Sequence, residues 1–177
     1  MIIALAGRRV DATDAKEARF PLKSAGIVRE RIHAFLKERA TALVSAAACG
    51  ADLIALSEAG RLGIRRRVVL PFERHRFRET SVIDRPGDWG PIYDEVLDAV
   101  EAAGDLVVLP AVSDAEAFAA ANRGILDEAL SLGRTMHQPA EAVLVWDGKS
   151  RGDHDVTEDF GTEARKRGLT VHEVRTV

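Results

Sequence analysis

The sequence predicts an α/β fold: a Rossmann-like three-layer sandwich around a mostly parallel central sheet of about six strands. Three observations lead to it. Short runs rich in Val, Ile and Leu alternate with longer segments of helical period along the whole chain. The runs are continuously apolar rather than alternating, as strands covered on both faces must be. Gly63 and Gly168 stand just before two of these runs, where a helix ends and the chain turns into a strand.

Ile2–Ala6 reads as the first strand and as a central one. It follows Met1 with no basic region before it and precedes Gly7-Arg8-Arg9, which suits a buried strand and not a signal peptide. Residues 24–39 form the first helix, with Ile27, Val28, Ile32, Phe35 and Leu36 close to helical spacing. Ala42–Ser45 is the second strand, 50–62 the second helix and Arg67–Leu70 the third strand. Residues 71–88 make a connection of about 18 residues, long for a compact domain. It reads either as a lid or binding loop, or as a short helix with surface coil. A helix over 89–103 leads to a fourth strand, Asp105–Leu109. Ser113 with Glu116 forms a capping-box start for a helix over 113–133, which Gly133 would stop. Ala142–Trp146, a helix over 157–167 and Thr170–Val174 complete the pattern. Strands separated by helices imply parallel pairing with right-handed crossovers. There is no internal repeat, low-complexity tract or linker rich in Pro, Gly or Ser, so residues 1–177 read as one domain.

Composition fits that reading. Among 177 residues, 46% are hydrophobic, which is enough for one core and excludes a disordered chain. The single cysteine, Cys49, excludes an internal disulfide, and a cytoplasmic location is the expectation. No apolar run reaches the ~18 residues of a membrane span, so no membrane partner is expected. The formal charge is −3, unevenly spread. Residues 61–80 carry seven arginines against Glu73 and Glu79, a local +5, whereas residues 84–130 are locally −9. A whole-chain basic footprint for nucleic acid is absent, and the arginine stretch is left as a candidate anion site.

In open parallel sheets, ligands bind beyond the carboxyl ends of the strands, where the strand order reverses. The residues there are Gly7 and Arg8; Ser45, Ala46, Gly50, Ala51 and Asp52; Pro71 and Phe72; and Trp146, Asp147, Gly148 and Lys149. The run from Ser45 to Asp52 joins a strand to a helix through small residues, which allows close backbone approach and points helix N–H groups at an anion. The same run also suits tight helix–sheet packing. It is neither G-x-G-x-x-G nor Walker A, so the standard dinucleotide and NTP readings fail and no cofactor is expected. Arg8 is expected to face the crevice and offer a bidentate fork to a phosphate or carboxylate, with little role in stability, the alternative being a solvent-facing side chain. Asp52 is expected to bond a ribose hydroxyl or hold Arg8, the alternative being a helix cap.

Asp153, His154, Asp155, Glu158 and Asp159 read as a metal cluster or as a helix start capped by Asp155. The helix start is the simpler reading, and the five histidines sit at no metal-ligand spacing. Cys49, lacking a histidine partner, reads as a small buried hydrophobe.

The ordered set Gly7-Arg8, Leu43-Val44-Ser45 running into Cys49-Gly50-Ala51-Asp52, Val69-Leu70-Pro71-Phe72, Ala121-Asn122-Arg123 and Val145-Trp146-Asp147-Gly148-Lys149 resembles the SLOG superfamily. That superfamily takes in the Lonely Guy phosphoribohydrolases, the DNA-processing protein A fold and nucleotide-sensor domains. The resemblance spans nearly the whole chain. It implies a Rossmann-like domain that binds or senses a nucleotide or nucleotide-derived ligand, and it adds Asn122 and Thr157 to the expected site. There are departures. Ser45 is followed by Ala46 where the pattern has Gly, Asp155-Val156 precede Thr157 where it has Gly-Gly, and the Pro-Gly-Gly-x-Gly-Thr-x-x-Glu motif of the hydrolases is missing. The leading expectation is therefore binding without robust catalysis. The alternatives are a nucleotide-processing hydrolase using Asp147 or Asp52 and, disfavoured by the net charge, single-stranded DNA binding. A homodimer is expected by analogy alone.

Overall fold

The computed structural model describes residues 1–177. Its six strands are β1 (Ile2–Gly7), β2 (Ala42–Ser45), β3 (Arg65–Leu70), β4 (Leu106–Val108), β5 (Ala140–Trp146) and β6 (Val171–Arg175). The helices are α1 (Ala25–Arg39), α2 (Ala51–Arg61), α3 (Arg74–Ser81), α4 (Trp89–Ala102), α5 (Asp114–Met136) and α6 (Val156–Lys166). All five strand pairings are parallel, in the order β4-β3-β2-β1-β5-β6. This is a Rossmann-like α/β three-layer sandwich, with β1 in the interior of the sheet.

The layers follow from side-chain alternation along β1. Ile3 and Leu5 enter the larger core, beneath α1, α2 and α4. Ile2, Ala4 and Ala6 enter the smaller one, beneath α5 and α6. The strand order reverses between β1 and β5, so the crevice expected of this topology opens beside the carboxyl end of β1. No helix is long and apolar enough to cross a membrane.

Differences from the sequence reading are mostly at element ends. β3 begins two residues earlier, at Arg65, because Asp105 neutralises this basic start: Arg65 Nε and Arg67 Nη2 reach its carboxylate at 2.9 and 2.8 Å. α5 runs past Gly133 to Met136, and His137 at φ 53° provides the left-handed stop. The Ser113 hydroxyl donates to the Glu116 side chain at 2.8 Å rather than capping a backbone amide. The 71–88 connection contains α3, capped by Glu73, whose carboxylate accepts from the His75 and Arg76 amides.

The arginine stretch is not an open anion site. Arg74 pairs with Asp98 and Glu101, Arg76 with Asp114, Arg78 with Asp94, and Arg67 with Asp105 and Glu128. The locally acidic 84–130 segment folds against the locally basic 61–80 segment and neutralises much of it.

Candidate ligand site

At the carboxyl end of the sheet lies a cleft of about 260 Å³. Its floor is Leu5–Arg9, and Ala46, Ala48 and Asp52 come from the β2–α2 connection. Pro71 and α3 form one wall, Phe118–Ile125 of α5 the other, and the segment 151–157 closes the end nearest α6. Of the expected site residues, Gly7, Arg8, Ala46, Asp52, Pro71, Asn122 and Thr157 line it.

The others lie behind the lining. Ser45 is fully buried, with its hydroxyl donating to Leu5 O at 3.0 Å. Gly50, at φ +98°, packs on the backbone after β1: a Cβ there would fall 2.8 Å from Arg8 O. The Ala51 amide donates to Arg8 O at 3.1 Å, so this helix-end N–H is not offered to a ligand. Gly7 lets the two segments approach, since a Cβ there would meet Val145 O at 2.7 Å. Phe72 touches the lining only through Phe118, in an edge-on contact of 6.0 Å between centroids. Trp146 is in the core against α5 and α6, with Arg8 5.5 Å from its ring centroid.

Arg8 differs most from expectation. Its side chain is 2% exposed, and its fork is filled by the protein. Nε donates to Asp147 Oδ1 at 3.0 Å, Nη1 to Asp155 Oδ1 at 2.6 Å, and Nη2 to Asp155 Oδ2 at 2.8 Å and Lys149 O at 2.6 Å. Asp147 gives its second oxygen to Arg19 at 2.9 Å, and Arg19 also reaches Lys149 O. Asp147, Gly148 and Lys149 thus belong to a clasp across the β1–β5 switch point, and Arg8 has no free pair of donors for a phosphate. Asp155 also caps α6, accepting from the Thr157 and Glu158 amides, which is the helix-start reading of the acidic cluster. Burial alone would raise the Asp155 carboxyl, but the Arg8 bonds and the Arg151 amide outweigh it and hold it down at about 2.

The β2 side of the cleft is different. Asp52 is 6% exposed and Ser81 1%. Asp52 Oδ2 accepts from the Ala48 amide at 3.2 Å, while Asp52 Oδ1, Ser81 Oγ and Arg9 Nε are buried with no hydrogen-bond partner. All three residues line the cleft. Burial pushes the Asp52 carboxyl up to about 7, against the opposing pull of the Ala48 amide and of the nearby Ser45 hydroxyl, Arg9 and Gly7 amide; of these only the Ala48 amide makes a hydrogen bond to it, since the Ser45 proton goes to Leu5 O. Cys49, behind this corner, is buried, and burial raises its thiol despite Arg9.

Sequence reasoning missed Arg9, Phe77, Ser81, Phe118, Arg151, His154 and Asp155 as cleft residues. Ser81 and Phe77 fall in the long 71–88 connection. Phe118, Ala121, Asn122 and Ile125 share one face of α5 at helical spacing, a pattern that Asn122 alone did not reveal. Asn122 Nδ2 donates to Val156 O at 2.8 Å and ties α5 to the start of α6. Arg151 forms no ion pair; its guanidinium is held below its ordinary value by burial and by Arg8 and Arg19.

Fold and cleft define a Rossmann-like α/β domain with an open cleft at the strand carboxyl ends. It is similar to the X-ray structure of DNA processing protein A (DprA) from Streptococcus pneumoniae, with a TM-score of 0.44 and 14% identity over 96% of this chain and 57% of that one. The chain therefore spans little more than half the length of that structure. No protein-family model and no curated protein matches the sequence.

Proposed function

We propose that the domain binds a nucleotide or nucleotide-derived small molecule in this cleft, without robust catalysis, as the SLOG-like motifs imply. The observation that carries the reading is that three of the four unpartnered buried side-chain polar atoms belong to residues lining this cleft, the fourth being Trp146 Nε1 behind it. A buried polar group without a partner costs roughly 1–3 kcal/mol, and three such groups in one cleft favour a ligand that completes them. The apolar walls, with Leu5, Pro71, Phe77, Phe118 and Ile125, suit a flat ring. Arg151, cationic and unpaired at the α6 end, suits the ligand's anionic group.

Binding is favoured over hydrolysis because Asp147 and Asp155 are committed to arginines, which leaves Asp52 as the one lining carboxyl with an open oxygen. Hydrolysis of a nucleotide N-glycosidic bond needs a base to activate water and an acid to release the leaving base, and Asp52 alone would have to serve as both. A single acid near pH 7 keeps the hydrolase as a second reading. Titration calorimetry against AMP, ADP-ribose and NAD, with product chromatography on the same mixtures, separates the two. The expected result is saturable heat with no product. Turnover lost in Asp52→Asn replaces the binding reading with the hydrolase, and the absence of any heat removes both.

A further inference from the structure

Asp52 and Ser81 are held at the buried end of the cleft by neighbouring links of one segment. The Ala48 amide donates to Asp52 Oδ2, and the Cys49 amide donates to Ser81 O at 3.0 Å. Both side chains are more than nine-tenths buried, and each leaves one oxygen without a partner. Arg9, held by its ion pair with Asp84, lines the same cleft, acts electrostatically on both Asp52 and Cys49, and keeps its Nε unpaired. The corner therefore offers an acceptor, a hydroxyl that both donates and accepts, and one N–H donor. A phosphate is the wrong complement, because it cannot donate to Asp52 and would be repelled by the carboxylate. A planar apolar group would leave all three atoms unpaired. A ligand hydroxyl fits: it donates to Asp52 Oδ1 and accepts from Arg9 or Ser81.

We infer that this corner holds the ribose hydroxyls of the ligand, so that the site takes ribonucleotides and rejects their deoxy counterparts. The inference rests on the nucleotide reading above and deepens it. It sets the ligand's direction: sugar toward α2 and α3, anionic group toward Arg151. It also gives a physical reason for the cleft to refuse a DNA strand, where the 2′-hydroxyl is absent and the 3′-oxygen is esterified, so that no sugar hydroxyl is left for the buried carboxylate.

The test needs only the wild-type protein at first. AMP, 2′-deoxy-AMP, 3′-deoxy-AMP and 2′,3′-dideoxy-AMP are titrated at pH 8 by calorimetry. Loss of the hydroxyl facing Asp52 should weaken binding about ten- to a hundredfold, the range for a hydrogen bond to a charged group. In Asp52→Asn, a near-isosteric change, the ribo and deoxy ligands should bind within about threefold of each other. Arg151→Ala should weaken AMP but leave adenosine unchanged, since adenosine carries no phosphate. If AMP binds and all deoxy analogues match it within threefold, the hydroxyl assignment is overturned while nucleotide binding stands. The same holds if Asp52→Asn weakens ribo and deoxy ligands equally, which is a purely structural effect. If none of the four nucleotides binds, and ADP-ribose and NAD also give no heat, both readings fall.

Discussion

Two polar clusters lie at the same end of the sheet, one on each side of β1, and they fill their hydrogen bonds differently. On the β5 side, Arg8 uses Nε, Nη1 and Nη2 on two carboxylates and a carbonyl, and each Asp147 and Asp155 oxygen is matched to a donor, which leaves only the Trp146 Nε1 behind them unmatched. On the β2 side, Asp52, Ser81 and Arg9 each keep a buried atom unmatched. A filled network in a protein interior specifies structure, while an unfilled one in a cleft is a standing cost that a ligand can relieve. Arginine at a strand end reads the same in either role, and its partners decide between them.

The largest effect that sharpens this contrast is on the clasp. Arg8→Ala leaves the buried Asp155 carboxylate without its cation and Asp147 with Arg19 alone, and should destabilise the fold by about 3–5 kcal/mol, read from the urea midpoint. A loss under about 1 kcal/mol would mean that the clasp is not structural and would return Arg8 to candidacy as a ligand contact.

Acid should break the clasp as well. The Asp155 carboxyl sits at about 2 in the folded protein, below its ordinary 3.8, so its stabilising contribution is present above that ordinary value and is lost as pH falls through about 2. Urea midpoints measured between pH 5 and pH 2 should fall across this window, and Asp155→Asn should flatten much of the fall.

Asp52 should behave in the opposite sense. Its folded value, about 7, lies above its ordinary 3.8, so its contribution is fully present below the ordinary value and is lost as pH rises through about 7. Asp52→Asn should therefore stabilise the ligand-free protein at pH 8 by the order of 1–3 kcal/mol relative to its effect at pH 4. A variant equally destabilised at both values would show that Asp52 is an ordinary structural cap.

The smallest effect belongs to the surface. Arg74 pairs with Asp98 and Glu101, which are well exposed, so Arg74→Ala should change stability by less than about 1 kcal/mol, and less again at high salt. The same substitution should leave AMP titrations unchanged.

The parallel pairing, the interior place of β1 and the presence of helices on both faces were legible because they follow from local pattern, whereas the strand order came only from the structure. Continuous apolar runs such as Ile2–Ala6 and Ala142–Trp146 are satisfied between two helical layers. Asp155 as the cap of α6 was legible for the same reason, since capping is decided within three residues. The site was half legible. Knowing that ligands collect beyond strand ends picks out Gly7, Ala46, Asp52 and Pro71 from local order alone.

What sequence could not decide is which charged groups meet. Arg8 and Asp155 are 147 residues apart, and Arg67 and Glu128 are 61 apart, so no local rule pairs them. The sequence on its own determined the elements, their parallel pairing and the end of the sheet where a cleft could open, because backbone hydrogen bonding and apolar burial act over a few residues at a time. Tertiary structure decided that Arg8 is spent and Asp52 is not. An ionisable group's role follows from the dielectric and the donors around it, and here those come from segments distant in the chain.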